Sequence, residues 1–149
     1  MMNDEMIQPL KLVEMIMGEQ YFAVLSTVGD GRPYSNLVSY AITSDLKSVV
    51  FFTDRNTRKY RYIKDNHYIS LLIDNRSNQP ADIEEALAIT ITGTAREETE
   101  GVDILKARYL ARYPGLSHFV ENPESALIVV SVHEYIIAGF KRTRRIVID

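Results

Sequence analysis

The chain has no cysteine and only three histidines among its 149 residues. Without thiols there are no disulfides, no thiolate ligands for a metal or haem, and no cysteine nucleophile. A surplus of positive charge is missing too. Seventeen basic against 20 acidic residues leave a formal charge of −3, which argues against a general nucleic-acid binder. No apolar run approaches the length of a membrane span, and the acidic, Met-rich start does not resemble a secretory signal. The expected setting is the cytoplasm, with no membrane or nucleic-acid partner. Apolar residues make up 46% of the chain and charged residues 25%, which suits a single domain over 1–149 with a real core.

The periodicity of the chain changes several times. Leu10, Val13, Ile16 and Met17 recur at helical spacing. Asn3 or Asp4 supplies a cap, Pro9 fits a first turn and Gly18 ends the run, so 1–18 reads as an N-terminal helix. Met6, Met15 and Met17 read as adaptable core filler. Strands are predicted at Tyr21–Val28, Tyr34–Thr43 and Ser48–Thr53, joined by the turns at 29–33 and 44–47. Short turns between strands indicate an antiparallel meander. A short helix over Thr57–Asn66 precedes a strand over His67–Asp74, a polar loop from Asn75 to Pro80 and a long strand over Leu87–Arg96. Thr99–Arg112 is helical, with Pro114-Gly115 as its stop. Ala126–Val132 and Glu134–Phe140 look like the last strands, and Ile146–Ile148 could add another after the basic tail 141–149. The sum is a mainly β protein: six or seven antiparallel strands closed as a β-barrel, with peripheral helices.

One stretch carries chemistry. Val49 to Phe52 favour a strand, Thr53 to Asn56 can form a polar turn, and Thr57-Arg58-Lys59 fall in a first helical turn. Unpaired N–H groups and the positive helix end attract anions there, and a guanidinium with an ammonium adds a phosphate cradle.

Phe52-Thr53 through Arg58-Lys59, followed by Asn66-His67-Tyr68-Ile69, resembles the FMN-binding split barrel of the pyridoxamine 5′-phosphate oxidase family. Gly31-Arg32-Pro33 with Ser35-Asn36-Leu37-Val38 resembles the family's strand along the flavin ring. Gly93-Thr94-Ala95-Arg96 and the run Tyr109–Pro114 resemble two further family segments. The resemblance implies that Asn36, Leu37, Val38 and Ser39 offer backbone groups to the isoalloxazine. Phe52 and Thr53 would flank the ring and ribityl chain, with Thr57, Arg58 and Lys59 on the phosphate. It also implies a homodimer with the flavin at the two-fold interface, where Phe140 and Lys141-Arg142 are candidates to complete the partner's site.

Departures from the pattern remove substrate contacts. Asn36 stands where the family often has Arg, Ala41 where the true oxidases have Lys, and Tyr113 where they have Arg, with Arg112 one place off. The resemblance therefore implies an FMN-dependent oxidoreductase, a reductase or oxidase of a small molecule with NAD(P)H as a candidate donor, but not pyridoxamine phosphate oxidation. No general acid or base stands out, and no catalytic residue or metal site is assigned. A haem-utilisation protein is an alternative, with His118 preferred as ligand over His67 and His133. So are a deazaflavin-binding relative and a non-catalytic flavin sensor or storage module.

Overall fold

A computed structural model describes residues 4–149 of the chain. Helix α1 (Asp4–Glu19) leads into strands β1 (Phe22–Gly29), β2 (Arg32–Ser39), β3 (Ala41–Ile42) and β4 (Ser48–Asp54). Helix α2 (Arg58–Asp65), strand β5 (Tyr68–Asp74), the single turn α3 (Asp82–Glu85) and strand β6 (Ala88–Glu98) follow. Helix α4 (Val102–Arg112), a 3-10 turn at Pro114–Leu116, helix α5 (Ser117–Glu121) and strands β7 (Ser125–Ala138) and β8 (Thr143–Val147) complete the chain. All pairings are antiparallel, in the order β2-β1-β5-β6-β7-β4-β3, with β8 alongside β7. β2 and β3 stand at opposite ends of that path yet are separated only by Tyr40. One chain segment thus forms both edges, and the sheet curls into a half-barrel with the helices at its periphery.

Local chemistry explains the turns. Asp30 and Gly31 link β1 to β2 with φ of 53° and 72°, the left-handed pair a two-residue hairpin requires. Gly93 marks the bulge where β6 shifts register against β7. A Cβ there would lie 2.3 Å from the Ser131 carbonyl oxygen, so only glycine fits. Tyr135, fully buried, donates to the Leu46 carbonyl at 2.7 Å and holds the β3–β4 turn.

The strands alternate between two apolar clusters. Val49 and Phe51 of β4 point into the barrel with Leu25, Leu71 and Ile91, and α1 adds Val13, Ile16 and Met17. Val50 and Phe52 face outward, where Tyr109 of α4 and Val120 of α5 cover them. Burial on both faces explains why β4 reads as an unbroken apolar run.

Several sequence expectations need correction. The Tyr34–Thr43 strand is interrupted at Tyr40, because the barrel seam passes there. The two expected last strands are one 14-residue strand, β7, which changes partner from β4 to β8 along its length. The strand in the basic tail begins earlier than Ile146–Ile148. Its residues 143–147 form β8, and Arg145 pairs with Glu134. Pro9 sits past the first turn of α1, Met15 is exposed, and the Asn3 cap and the Met6 side chain lie outside what is described.

At the seam a side chain replaces the lost ladder bonds. The Tyr113 phenol accepts from the Tyr40 N–H at 3.1 Å and donates to the Tyr40 carbonyl at 2.5 Å. The Tyr40 phenol, 0% exposed, donates to the Met17 carbonyl at 2.7 Å, near the end of α1. Burial pushes that phenol well above the usual tyrosine range. Arg112 donates to the Met17 and Gln20 carbonyls, a cation where the helix dipole is negative. Its guanidinium lies 5.0–5.5 Å from the ring centres of Tyr40, Tyr21 and Tyr113. Tyr113→Phe keeps the ring but strands both backbone groups of Tyr40. It should lower unfolding free energy by about 1–3 kcal/mol, read as an earlier urea midpoint at constant slope. An unchanged midpoint would show that water replaces both bonds.

Candidate functional site

The polar turn between β4 and α2 is built from its own residues. Asp54 accepts from the Asn56 N–H at 2.7 Å. Thr57 caps α2, its hydroxyl donating to the Asp54 carbonyl at 2.7 Å and accepting from the Tyr60 N–H at 3.4 Å. The Thr53 hydroxyl sits 3.0 Å from that of Thr57. Arg55 leaves the turn to meet Glu97 of β6 at 2.7 Å, and its other nitrogen donates to the Pro123 carbonyl at 2.7 Å. Tyr60 donates to the second Glu97 oxygen at 2.5 Å. The Glu97 carboxylate therefore clamps the turn, the helix and the loop before β7 together.

Above this turn lies a cleft of about 280 Å³. Leu37, Val38 and Ser39 of β2 form one wall, and Phe52, Thr53 and Asp54 of β4 another. Thr57 and Lys59 stand at its polar end. Sequence reasoning had named seven of these residues, all but Asp54. It did not assign Tyr109, Leu116 and Phe119, which close the cleft from the helical side. Tyr109 begins the run Tyr109–Pro114 that resembles a family segment, but its partners across space are not legible in the sequence. Its ring lies 5.0 Å from that of Phe52. Burial raises its phenol to about 12, so it stays a protonated donor at neutral pH.

Lys59 is the unusual charge. It is half-buried, and loss of hydration lowers its pKa. No carboxylate pairs with it among the described residues. An ammonium held this way in a helix's first turn is well placed to receive an anion.

Arg58 and Asn36 do not line the cleft, and Phe140, expected at the partner's site, lies away from this one. Arg58 turns the other way, its guanidinium 4.7 Å above the Tyr34 ring. Asn36 sits on the opposite pleat from Leu37, with its Oδ1 buried and without a hydrogen-bond partner. Phe140 is exposed and lines a separate hollow beside Leu87 and Ile83. Arg112 is committed to the end of α1, as described above, and Ala41 is buried among apolar residues. None of the three histidines lines the cleft. His67 contacts the Ala95 carbonyl at 3.1 Å, while His118 and His133 are exposed. Among the described residues no cluster suited to a metal ion occurs, and no helix is long and apolar enough to cross a membrane.

The cleft opens onto an apolar sheet face. Leu37, Val24 and Leu72 are paired side by side across β2, β1 and β5. Leu37 is 63% exposed, and Phe22 and Tyr21 beside it are 59% exposed. Leu37 lines both this face and the cleft.

The chain is an antiparallel half-barrel with a cleft between β2, β4 and α2, lined by apolar side chains and by Ser39, Thr53, Asp54, Thr57 and Lys59. The residue pattern of the pyridoxamine 5′-phosphate oxidase family matches residues 11–137, and the chain belongs to that family. No curated protein matches it in sequence. Among solved structures, a haem-binding protein from Mycobacterium smegmatis is similar in fold, with a TM-score of 0.79 and 16% identity over 89% of this chain. This chain spans only 55% of that protein. A FAD-binding protein from Mesorhizobium loti has a TM-score of 0.69 and 14% identity, over 85% of this chain and 89% of its own. HutZ, the haem storage protein from Vibrio cholerae, has a TM-score of 0.72 and 12% identity over 92% of both chains. At these identities the likeness is one of fold.

The Arg55 guanidinium, with help from the Tyr60 hydroxyl, holds the Glu97 carboxyl below the usual glutamate range. A depressed carboxyl contributes stability above its unfolded pKa, about 4.3, and that contribution disappears as pH falls through the folded value. Glu97→Gln should therefore lower the urea midpoint at pH 7, and the gap to the parent should close below about pH 4. A gap independent of pH would mean that the charge of Glu97 contributes nothing.

Proposed function

We propose that this protein is a homodimeric FMN-binding oxidoreductase that reduces or oxidises a small molecule. The observation that carries the reading is the half-buried Lys59, in no ion pair among the described residues, at the polar end of a cleft whose apolar lining is Leu37, Val38, Phe52, Leu116 and Phe119. A flavin mononucleotide matches that arrangement, with one anionic end and one flat, largely apolar head. Lys59 and the first-turn N–H groups of α2 hold the phosphate, while Thr57 keeps that turn in place by capping it. Phe52, Leu37 and Leu116 supply the apolar walls that exclude water from the ring. Backbone groups of Leu37 to Ser39 and the protonated Tyr109 phenol supply hydrogen bonds to its polar edge. When bound, the flavin supplies hydride or electron transfer, and the protein contributes binding, orientation and access. The FAD-binding neighbour supports the flavin reading.

A second copy of the chain covers the apolar face of β2, β1 and β5. The support is continuity: Leu37 belongs to both surfaces, so whatever buries the face also closes the cleft. Oxidation of pyridoxamine phosphate is not the proposed reaction. The matching substrate positions hold Ala41 and Tyr113, and Arg112 is already engaged.

Protein purified after expression should be yellow, with flavin absorption. A haem spectrum, or a colourless protein that ignores added FMN, would overturn the assignment. Lys59→Met removes one charged phosphate contact, about 1.5–3 kcal/mol. FMN affinity should fall about tenfold to a hundredfold while riboflavin affinity stays constant. The ligand-free variant should be no less stable than the parent, since a desolvated charge has gone. Equal losses for FMN and riboflavin would place the phosphate elsewhere. Leu37→Glu should yield a monomer by light scattering and cost flavin binding with it, and a persistent dimer would exclude this face as the interface.

A further inference from the structure

The first turn of α2 separates the Lys59 cleft from a second one. It measures about 460 Å³ and lies between the β1–β2 hairpin and the outer side of α2. Arg32, Arg58 and Arg61 line it with the rings of Tyr34 and Tyr62. Asp30 and Asp65 also line it, yet no carboxylate forms an ion pair with any of the three arginines among the described residues. The chain as a whole carries −3, so a hollow where three guanidiniums outnumber two carboxylates is a local reversal of charge.

The aromatic part is held in place. Tyr62 packs against Gly29 so closely that a Cβ at that position would meet its ring at 2.3 Å. The Tyr34 ring stands edge-on to Tyr62 at 6.1 Å, and Arg58 lies over Tyr34 at 4.7 Å. A guanidinium stacked on a phenol keeps its N–H edge free for anions. Forked donors suit phosphate oxygens, rings suit stacking on a base, and carboxylates suit ribose hydroxyls. These are the three parts of one ligand class.

We propose that this second cleft binds a nucleoside diphosphate, with the phosphates on Arg32, Arg58 and Arg61, the base against Tyr34 or Tyr62, and the sugar hydroxyls near Asp30 or Asp65. Two sources share that chemistry. One is a free nucleotide. The other is the nucleotide half of a dinucleotide whose first half occupies the Lys59 cleft, since Arg58 and Lys59 are adjacent in sequence and line opposite clefts. The second site itself does not depend on the flavin assignment, whereas the choice between its two sources rests on it.

Calorimetric titration of the ligand-free chain with ADP at low salt tests it. ADP should bind more tightly than either adenosine or inorganic pyrophosphate, and Arg32→Ala with Arg61→Ala should weaken it by about a hundredfold, roughly tenfold for each lost charged contact. Both side chains are exposed, so the double variant should melt with the parent and keep its parental FMN affinity. No ADP binding, binding no tighter than that of pyrophosphate, or equal affinity in the double variant overturns the proposal. Repeating the titration on FMN-saturated and FAD-saturated protein separates the sources. Exclusion of ADP by FAD alone identifies the dinucleotide half, and ADP binding in both identifies a free nucleotide.

Discussion

Closing a sheet with a single chain segment requires one residue to leave the first strand's ladder before joining the second. That residue is Tyr40, and its backbone groups have no strand opposite them. The Tyr113 phenol serves both, while the Tyr40 side chain reaches the end of α1 and Arg112 ties the same helix end to α4. Two helices distant in sequence are thereby fixed to the barrel seam. The residues just before the seam, Leu37 to Ser39, form a wall of the cleft, and Tyr109, four residues before Tyr113, forms part of its roof. The position of the site follows from the way the barrel is closed.

Neighbouring cations in one short stretch meet different fates. Arg55 is neutralised by Glu97, whose carboxylate it shares with the Tyr60 hydroxyl, and serves to hold the turn. Lys59 is half-buried and in no ion pair among the described residues, and Arg58 faces the other side of the helix. A structural ion pair and a binding charge look alike in a sequence. Burial and partnership separate them, because a desolvated charge without a partner costs free energy that only a ligand can offset.

Family membership and individual chemistry also separate here. The residues matched by the family pattern, 11–137, include the β4–α2 turn and every residue lining the cleft. Ala41 packs in the outer apolar cluster and Arg112 is bound to the end of α1, so both are committed to the fold. A neutral phenol at Tyr113 is what the seam needs, since a hydroxyl can accept and donate at once and a guanidinium cannot accept.

Local signals determined much of this protein. The two-residue turn at Asp30-Gly31, the strand-to-helix passage at 53–59, the alternation of β6 and the absence of thiol chemistry are all readable from residue type and spacing, because each depends on neighbours within a few positions. The mainly antiparallel barrel follows from the sum of those signals. Only the tertiary structure decided that Tyr40 breaks a strand, that β7 runs unbroken while exchanging partners, and that residues 143–147 pair with it. It also decided that Tyr109, Leu116 and Phe119 join residues some 50 to 80 positions earlier around one cleft. It turned Arg58 away from Lys59 as well. These outcomes depend on which surfaces meet across long loops and on which charges find a partner there, and no local window of sequence contains either.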